Sequence, residues 1–334
     1  MKITTRASFS RITLLARHGV GRISPKRLDV LAPVLAPVVL VVTFALLNER
    51  FVSAGNLQNI GQDGSILLIL GIGLTYVILM GAIDLSVGSL LGLGEVVVAV
   101  LVSHLAYWAF VVAIIVGLLA GLLNGFVHVQ LRIPSFIATL GMSGIWLTAA
   151  LAVTAGENIS VPQRDWSYLT WVQATPFGVP TTVFLAAGAL LLTLILERHT
   201  RFGRYMYAIG AGEEAARASG VPIGYYKTLA FGLSGATATA AGALFSARLL
   251  GGSPIAGDRF LLLAIAVVVV GGTALTGGTG GIRRTLLGAL IMTLMVNGMS
   301  ILGVDPFVQQ VVTGAIVIIA VVATMDRSRL FVTK

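Results

Sequence analysis

Apolar residues run through this chain in long blocks separated by short polar segments. A helix needs about 20 apolar residues to cross the hydrocarbon core of a bilayer. On that measure the blocks predict ten membrane-spanning helices, at roughly 30–47, 64–82, 86–103, 106–131, 134–154, 180–196, 227–249, 260–275, 284–303 and 306–324. The blocks at 86–103 and 260–275 are short and flanked by glycine. The pattern predicts an all-α integral membrane protein.

Composition agrees. Of 334 residues, 57% are hydrophobic and 10% charged, and mean hydropathy is +0.96. A soluble domain of this length cannot hide so much apolar surface. The 40 glycines fit helices that approach closely in lipid. Cysteine is absent, which excludes disulfides, thiolate nucleophiles and Cys-ligated zinc.

The net charge of +9 is unevenly placed. Lys2, Arg6, Arg11, Arg17, Arg22, Lys26 and Arg27 precede the first span, with Asp29 the only acid among them. Retention on the cytoplasmic side explains this 1–29 segment better than a nucleic-acid arm. No small-residue cleavage site follows the first span, so it does not read as a signal peptide. With the N-terminus inside, even-numbered spans end inside. They end at Arg132, at Glu197-Arg198-His199-Thr200-Arg201, at Arg283-Arg284, and at Arg327 and Arg329 in the 325–334 tail. Each inward loop thus carries Arg, as the positive-inside rule requires. Segment 155–179 falls outside, with Trp166, Tyr168 and Trp171 suited to an interfacial belt. The membrane domain is read as 30–324, with both termini cytoplasmic.

Few polar side chains interrupt the spans. Asp84 lies in a small-residue break with Gly81, Gly88 and Ser89. A carboxyl at membrane depth must be hydrogen-bonded or wetted. It either caps the next helix or serves a pathway, and Ser86 or Ser89 is also placed to cap. Glu95, in the third span, is a functional candidate or the partner of a neighbouring helix. Asn124 and Asn297 are read as interhelical hydrogen-bonding or pathway residues. His104 and His128 carry no ligand spacing, and no metal site or catalytic residue is predicted. The glycine-rich run 271–281 has no Lys and is not a nucleotide P-loop; helix breaking and tight turns suit it better. Gly232-Leu233-Ser234-Gly235 is similar to an intramembrane protease motif, but none of the four histidines follows Ser234 to act as base. The break after Met80 and that from Gly271 to Gly281 echo one another, either as paired breaks do in repeat-built transporters or by chance similarity of two Gly/Leu-rich stretches.

The segment 197–226 carries the strongest signal. Glu213, Glu214, Ala215, Ala216, Arg217 and Ala218 favour helix, with the acids first. Gly220 and Pro222 stop it. A helix of about two turns results, without the broad apolar face that membrane-surface binding requires. A cytoplasmic protein partner is the better reading.

Here the chain resembles a known family, the permease subunits of bacterial ABC sugar importers of the ribose-permease type. Glu214-Ala215-Ala216 with Gly220 is similar to the EAA…G element of importer permeases. Thr200-Arg201-Phe202-Gly203-Arg204 and Tyr207-Ala208-Ile209-Gly210 also match the family. So do Ile83-Asp84-Leu85-Ser86-Val87-Gly88-Ser89, Pro134 to Gly141, and Gly271-Gly272-Thr273 with Gly277-Gly278. The likeness covers about residues 50 to 325.

The resemblance implies a ten-span, vitamin B12 permease-like fold in the bacterial inner membrane. It implies a second permease subunit, identical or different, and a cytoplasmic ABC ATPase that holds the ATP and Mg. It also implies a periplasmic or lipid-anchored sugar-binding protein. This chain would carry no cofactor, hydrolyse no ATP, import a monosaccharide or related polyol, and contact lipid but no nucleic acid. Coupling falls to Glu213, Glu214, Ala215, Ala216, Arg217 and Gly220. Asp84, Ser86, Glu95, Asn124 and Asn297 are the pathway or helix-packing candidates. The chain departs from the family at Leu261 and Leu263, which replace acids, at Ala211-Gly212, and at Arg284. A lone ion- or proton-coupled transporter, with Glu95 as proton site, is the alternative.

Overall fold

The computed structural model describes residues 25–324. The N-terminal residues before Pro25 and the 325–334 tail lie outside the described residues. The chain forms α1 (Pro25–Leu47), α2 (Ala54–Leu79), α3 (Val87–Leu105), α4 (Trp108–Gln130), α5 (Ser135–Thr154), α6 (Ser167–Thr170), α7 (Thr181–His199), α8 (Arg201–Ala211), α9 (Glu213–Ala218), α10 (Ile223–Leu249), α11 (Asp258–Val270), α12 (Ile282–Ile301) and α13 (Pro306–Thr324). Two short strands, β1 (Ile159–Ser160) and β2 (Gly251–Gly252), pair antiparallel. Among the described residues, eight helices are long and apolar enough to cross a membrane.

Several helix limits differ from the hydropathy reading, two of them for a visible local reason. α2 starts at Ala54 rather than near 64, because Ser53 caps it by accepting the Asn56 N–H at 3.4 Å. Its first turns are polar, so hydropathy alone misses them. α11 has 13 residues and ends at Val270 rather than 275. Gly271 and Gly272 follow, and Gly272 turns the chain at φ +99°, a conformation natural only to glycine.

The core is built around α10, which packs on α2, α3 and α4. Gly117, Gly121 and Gly125 recur every fourth residue on α4 and face Thr228, Phe231, Gly235 and Thr239 of α10. A Cβ at Gly121 would strike the Phe231 backbone, and one at Gly235 would strike the Gly117 carbonyl. The helices therefore touch backbone to backbone, which is how close packing replaces the hydrophobic effect in lipid. Large apolar side chains such as Leu46, Trp108, Leu119, Leu140, Leu192 and Ile319 point outward.

The connections gather at two ends. At one, the breaks 80–86 and 271–281 meet the 131–134 turn and the 200–222 segment. Gly278 N–H bonds the Leu79 carbonyl at 2.8 Å, and Ile83 N–H bonds Ser135 Oγ at 3.0 Å. At the other end β1 and β2 join 155–179 to 250–257. There Gln173 donates to the Ala247 and Arg248 carbonyls, at 3.0 and 3.2 Å.

Candidate coupling and translocation sites

The 200–222 segment folds as two short helices in tandem. α8 buries Gly203, Met206 and Ile209 and exposes Arg201, Arg204 and Ala211. Phe202 packs edge-on against Tyr76, ring centres 5.0 Å apart. After Gly212 the chain forms α9, with Glu213 and Glu214 in its first turn, where acids meet the positive helix end. Gly220, at φ +79°, ends it.

Glu213 holds α9 down. It takes Lys227 of α10 at 2.7 Å and Arg217 at 3.1 Å. Partial burial raises its pKa, but Lys227 and then Arg217 outweigh that and hold the carboxyl below the ordinary range. Of the other coupling candidates, Ala216 is buried while Glu214, Ala215, Arg217 and Gly220 are exposed. Glu214 is thus on the surface, next to the salt-bridged Glu213 rather than part of its clamp.

α8 also reaches both helix breaks. Gly210 lies so close to Leu79 and to Gly277-Gly278 that a Cβ there would meet backbone on both. Tyr207 bonds the Glu197 carboxyl and donates to the Gly280 carbonyl at 3.0 Å. Burial, then Glu197, push the Tyr207 hydroxyl above the ordinary phenol range. The second Glu197 oxygen accepts the Ile282 N–H at 3.1 Å, satisfying a free donor at the start of α12. One carboxyl at the end of α7 therefore ties α8 to the glycine-rich break and to α12. The sequence reading passed over this clasp, because Glu197 stands among charges expected at any helix end.

The glycine run 271–281 is a turn-rich helix break. Gly272, Gly277, Gly278, Gly280 and Gly281 all have positive φ. Arg284, the departure from the family pattern, donates to the Gly272 carbonyl at 2.7 Å.

Asp84 is fully buried. One oxygen accepts Ser86 N–H at 2.9 Å and Ser86 Oγ at 2.6 Å; the other accepts Ser234 Oγ at 2.8 Å. Asn124 Nδ2 donates to Ser86 Oγ at 2.7 Å, and Trp146 Nε1 donates to Asn124 Oδ1 at 2.9 Å. The donors all point toward Asp84, so each bond polarises the next. This network joins the first break to α4, α5 and α10. It corrects the expectation of a serine cap, because Ser86 stands at the N-cap of α3 without a side-chain cap bond, while Asp84 accepts the Ser86 N–H. Its hydroxyl is spent on Asp84, and that of Ser89 goes to the Ser86 carbonyl at 3.0 Å.

Glu95 is also fully buried. Its Oε2 accepts Ser253 N–H at 3.2 Å, just past β2, and its Oε1 has no partner among the described residues. Asn297 forms a two-way amide pair with Asn56, both bonds 2.9 Å, linking α12 to α2. Asp84, Ser86 and Asn124 thus come together, while Glu95 and Asn297 stand apart from them.

A cavity of about 710 Å³ opens between α2, α10, α11, α12 and α13. Asp63 and Arg248 pair on its wall. This pair was not foreseen, since each residue looks like an isolated charge near a span end. Leu261 lines a second, smaller cleft with Ser89 and Ser143, and Leu263 lines the large cavity.

The family model described as "Branched-chain amino acid transport system / permease component" matches residues 56–321. The ribose import permease protein RbsC of Escherichia coli is 37% identical over 291 residues, covering 86% of this chain and 91% of that protein. The ribose import permease protein RbsC of Bacillus subtilis is 37% identical over 301 residues, covering 90% and 93%. The L-arabinose transport system permease protein AraH of Escherichia coli is 34% identical over 286 residues, covering 85% and 87%. Likeness of this extent, carried by a multi-pass helical chain, places it in the branched-chain amino acid transport system permease family, among the ribose-type ABC sugar permeases of the bacterial inner membrane.

Proposed function

We propose that this chain is the permease subunit of an ATP-driven, binding-protein-dependent importer of a monosaccharide or related polyol. It forms half of a translocation pathway with a second permease, and a separate ATPase drives it. α1 and α11 complete ten spans with the eight candidate spanning helices, in a vitamin B12 permease-like arrangement. The end bearing α8 and α9 carries Arg132, Arg201, Arg204, Arg283 and Arg284, which supports its assignment to the cytoplasm with both termini.

One observation carries the coupling role. α8 contacts both helix breaks at once, by backbone at Gly210 and by the Tyr207–Glu197–Gly280 clasp. A push on α8 and α9 is therefore delivered to α2, α3, α11 and α12 together. Closure of the partner's nucleotide domains supplies the push, and the permease answers by a rigid-body change between outward-open and inward-open states. The sugars named for the relatives, ribose and arabinose, support a pentose-sized substrate class.

Glu214→Lys tests this in the co-purified complex. Glu214 is exposed, so the variant should remain folded in detergent. It should lose the ATPase from the complex, or lose sugar-dependent ATP hydrolysis. Normal coupled transport by Glu214→Lys would remove α9 from the coupling path.

A further inference from the structure

Arginines collect where α7 ends and α12 begins. Arg198 lies in the last turn of α7, and Arg283 and Arg284 in the first turn of α12. All three are exposed. None forms an ion pair among the described residues. Arg284 spends one N–H on the Gly272 carbonyl, and a guanidinium has five such donors.

Glu197, the acid beside Arg198, is spent elsewhere. Its two oxygens go to Tyr207 and to the Ile282 N–H at 3.1 Å. That clasp holds the two helix ends together, next in sequence to Arg198 on one side and to Arg283 on the other. Burial and then Glu197 push the Tyr207 hydroxyl up, and Arg284 and Arg198 both oppose them. The two guanidinium charges therefore act on one phenol, from α12 and from α7.

The surface that leads to these arginines is apolar. On α7, Phe184, Gly188, Leu191, Ile195 and Arg198 recur at spacings of four and three, so they share one helix face. All five are exposed, and a Cβ at Gly188 meets nothing within 4 Å. On α12, exposed Leu290 lies two turns after Arg283. An apolar stripe that ends in arginine matches the passage from acyl chains to headgroups, where long basic side chains reach the interface. A second copy of the chain fits less well. A two-fold contact centred on this face would set the arginines of one copy against those of the other, and like charges oppose association. An ATPase docked on α8 and α9 does not account for a basic end on the apolar stripe of α7.

We propose that the junction of α7 and α12 binds an anionic phospholipid, with its phosphate on Arg198, Arg283 and Arg284 and an acyl chain along the exposed face of α7. Basic pockets between spanning helices bind such headgroups, and the guanidinium fork fits phosphate oxygens. The site needs only the membrane placement of the chain, not its coupling to an ATPase.

The test offers the full-length chain in detergent either phosphatidylglycerol or phosphatidylcholine with the same acyl chains, and reads retained lipid by native mass spectrometry. Phosphatidylglycerol should be retained in preference. Arg198→Gln and Arg283→Gln should each weaken its retention about fivefold, the worth of one basic residue near an anionic surface. Arg132→Gln should leave retention unchanged, although Arg132 is also exposed and lies at the same end of the molecule. Phosphatidylglycerol should raise the thermal midpoint of the wild type but not that of the double variant Arg198→Gln/Arg283→Gln. Inorganic phosphate should not, because it has no chain to lay on α7. Equal retention of the two lipids, an equal loss in Arg132→Gln, undiminished retention by the double variant, or an equal thermal shift with inorganic phosphate would each overturn the proposal. Loss of the ATPase from the co-purified complex of the double variant, with lipid retention intact, would assign the arginines to that partner instead.

Discussion

At the residue scale, the weight falls on buried polar groups that are nearly all satisfied. Asp84 collects three donors from two serines, and Asn124 hands on the donation from Trp146. Removing the carboxyl leaves several buried donors unpaired, each costing about 1–3 kcal/mol. Asp84→Ala should therefore destabilise the chain by roughly 3 kcal/mol or more, and Ser234→Ala by about 1 kcal/mol. Thermal unfolding in detergent measures both, and equal effects would deny Asp84 its central position. The sequence marks Asp84 and Asn124 as polar residues in apolar surroundings. It cannot show that they share Ser86, because that depends on α4 crossing the break.

Glu213 gives a pH prediction. Its folded pKa lies below the ordinary value, so its contribution is full above the unfolded pKa and is lost as pH falls through the lowered folded value. The protection of the α9 amides, relative to the intrinsic exchange rate at each pH, should be flat across neutral pH and should fall only below the usual carboxylate range. Glu213→Gln should abolish that acid-side step. A step near neutral pH would mean that another group holds α9.

At the element scale, helix existence was legible and helix limits were less so. The apolar blocks located every long helix, because a helix at membrane depth is apolar whether it faces lipid or, like α2 and α3, is mostly buried among its neighbours. The polar start of α2 and the early stop of α11 escaped it, since a serine cap and a glycine pair decided them. Glycine number pointed to close helix packing, and the structure concentrates that packing between α4 and α10. Gly121→Leu should push those helices apart and sharply reduce the folded fraction, measured by size-exclusion yield in detergent. Gly141→Leu is the control, because a Cβ at Gly141 meets nothing within 4 Å. Equal yields would contradict the α4–α10 contact.

At the scale of the whole molecule, the two breaks that echo one another in sequence are also neighbours in space. Leu79 and Gly278 bond across them, and α8 sits on both. The sequence led to the expectation that the helix-forming acids of α9 serve as a docking element. It could not identify Glu197 and Tyr207 as the link inward, because a carboxyl capping a distant helix has no local signature. The large cavity was equally hidden, since its polar residues come from five helices and each looks incidental on its own. The departures at Leu261 and Leu263 fall on the walls of two different clefts, so they bear on different surfaces.

The central claim is that free energy enters this chain from outside it. Reconstitution in liposomes tests that most directly, by comparing the chain alone with the chain plus its second permease, ATPase and binding protein. Sugar should accumulate against its gradient only in the full assembly and only with ATP on the ATPase side. Uphill uptake by this chain alone, driven by a proton or sodium gradient, would contradict the account.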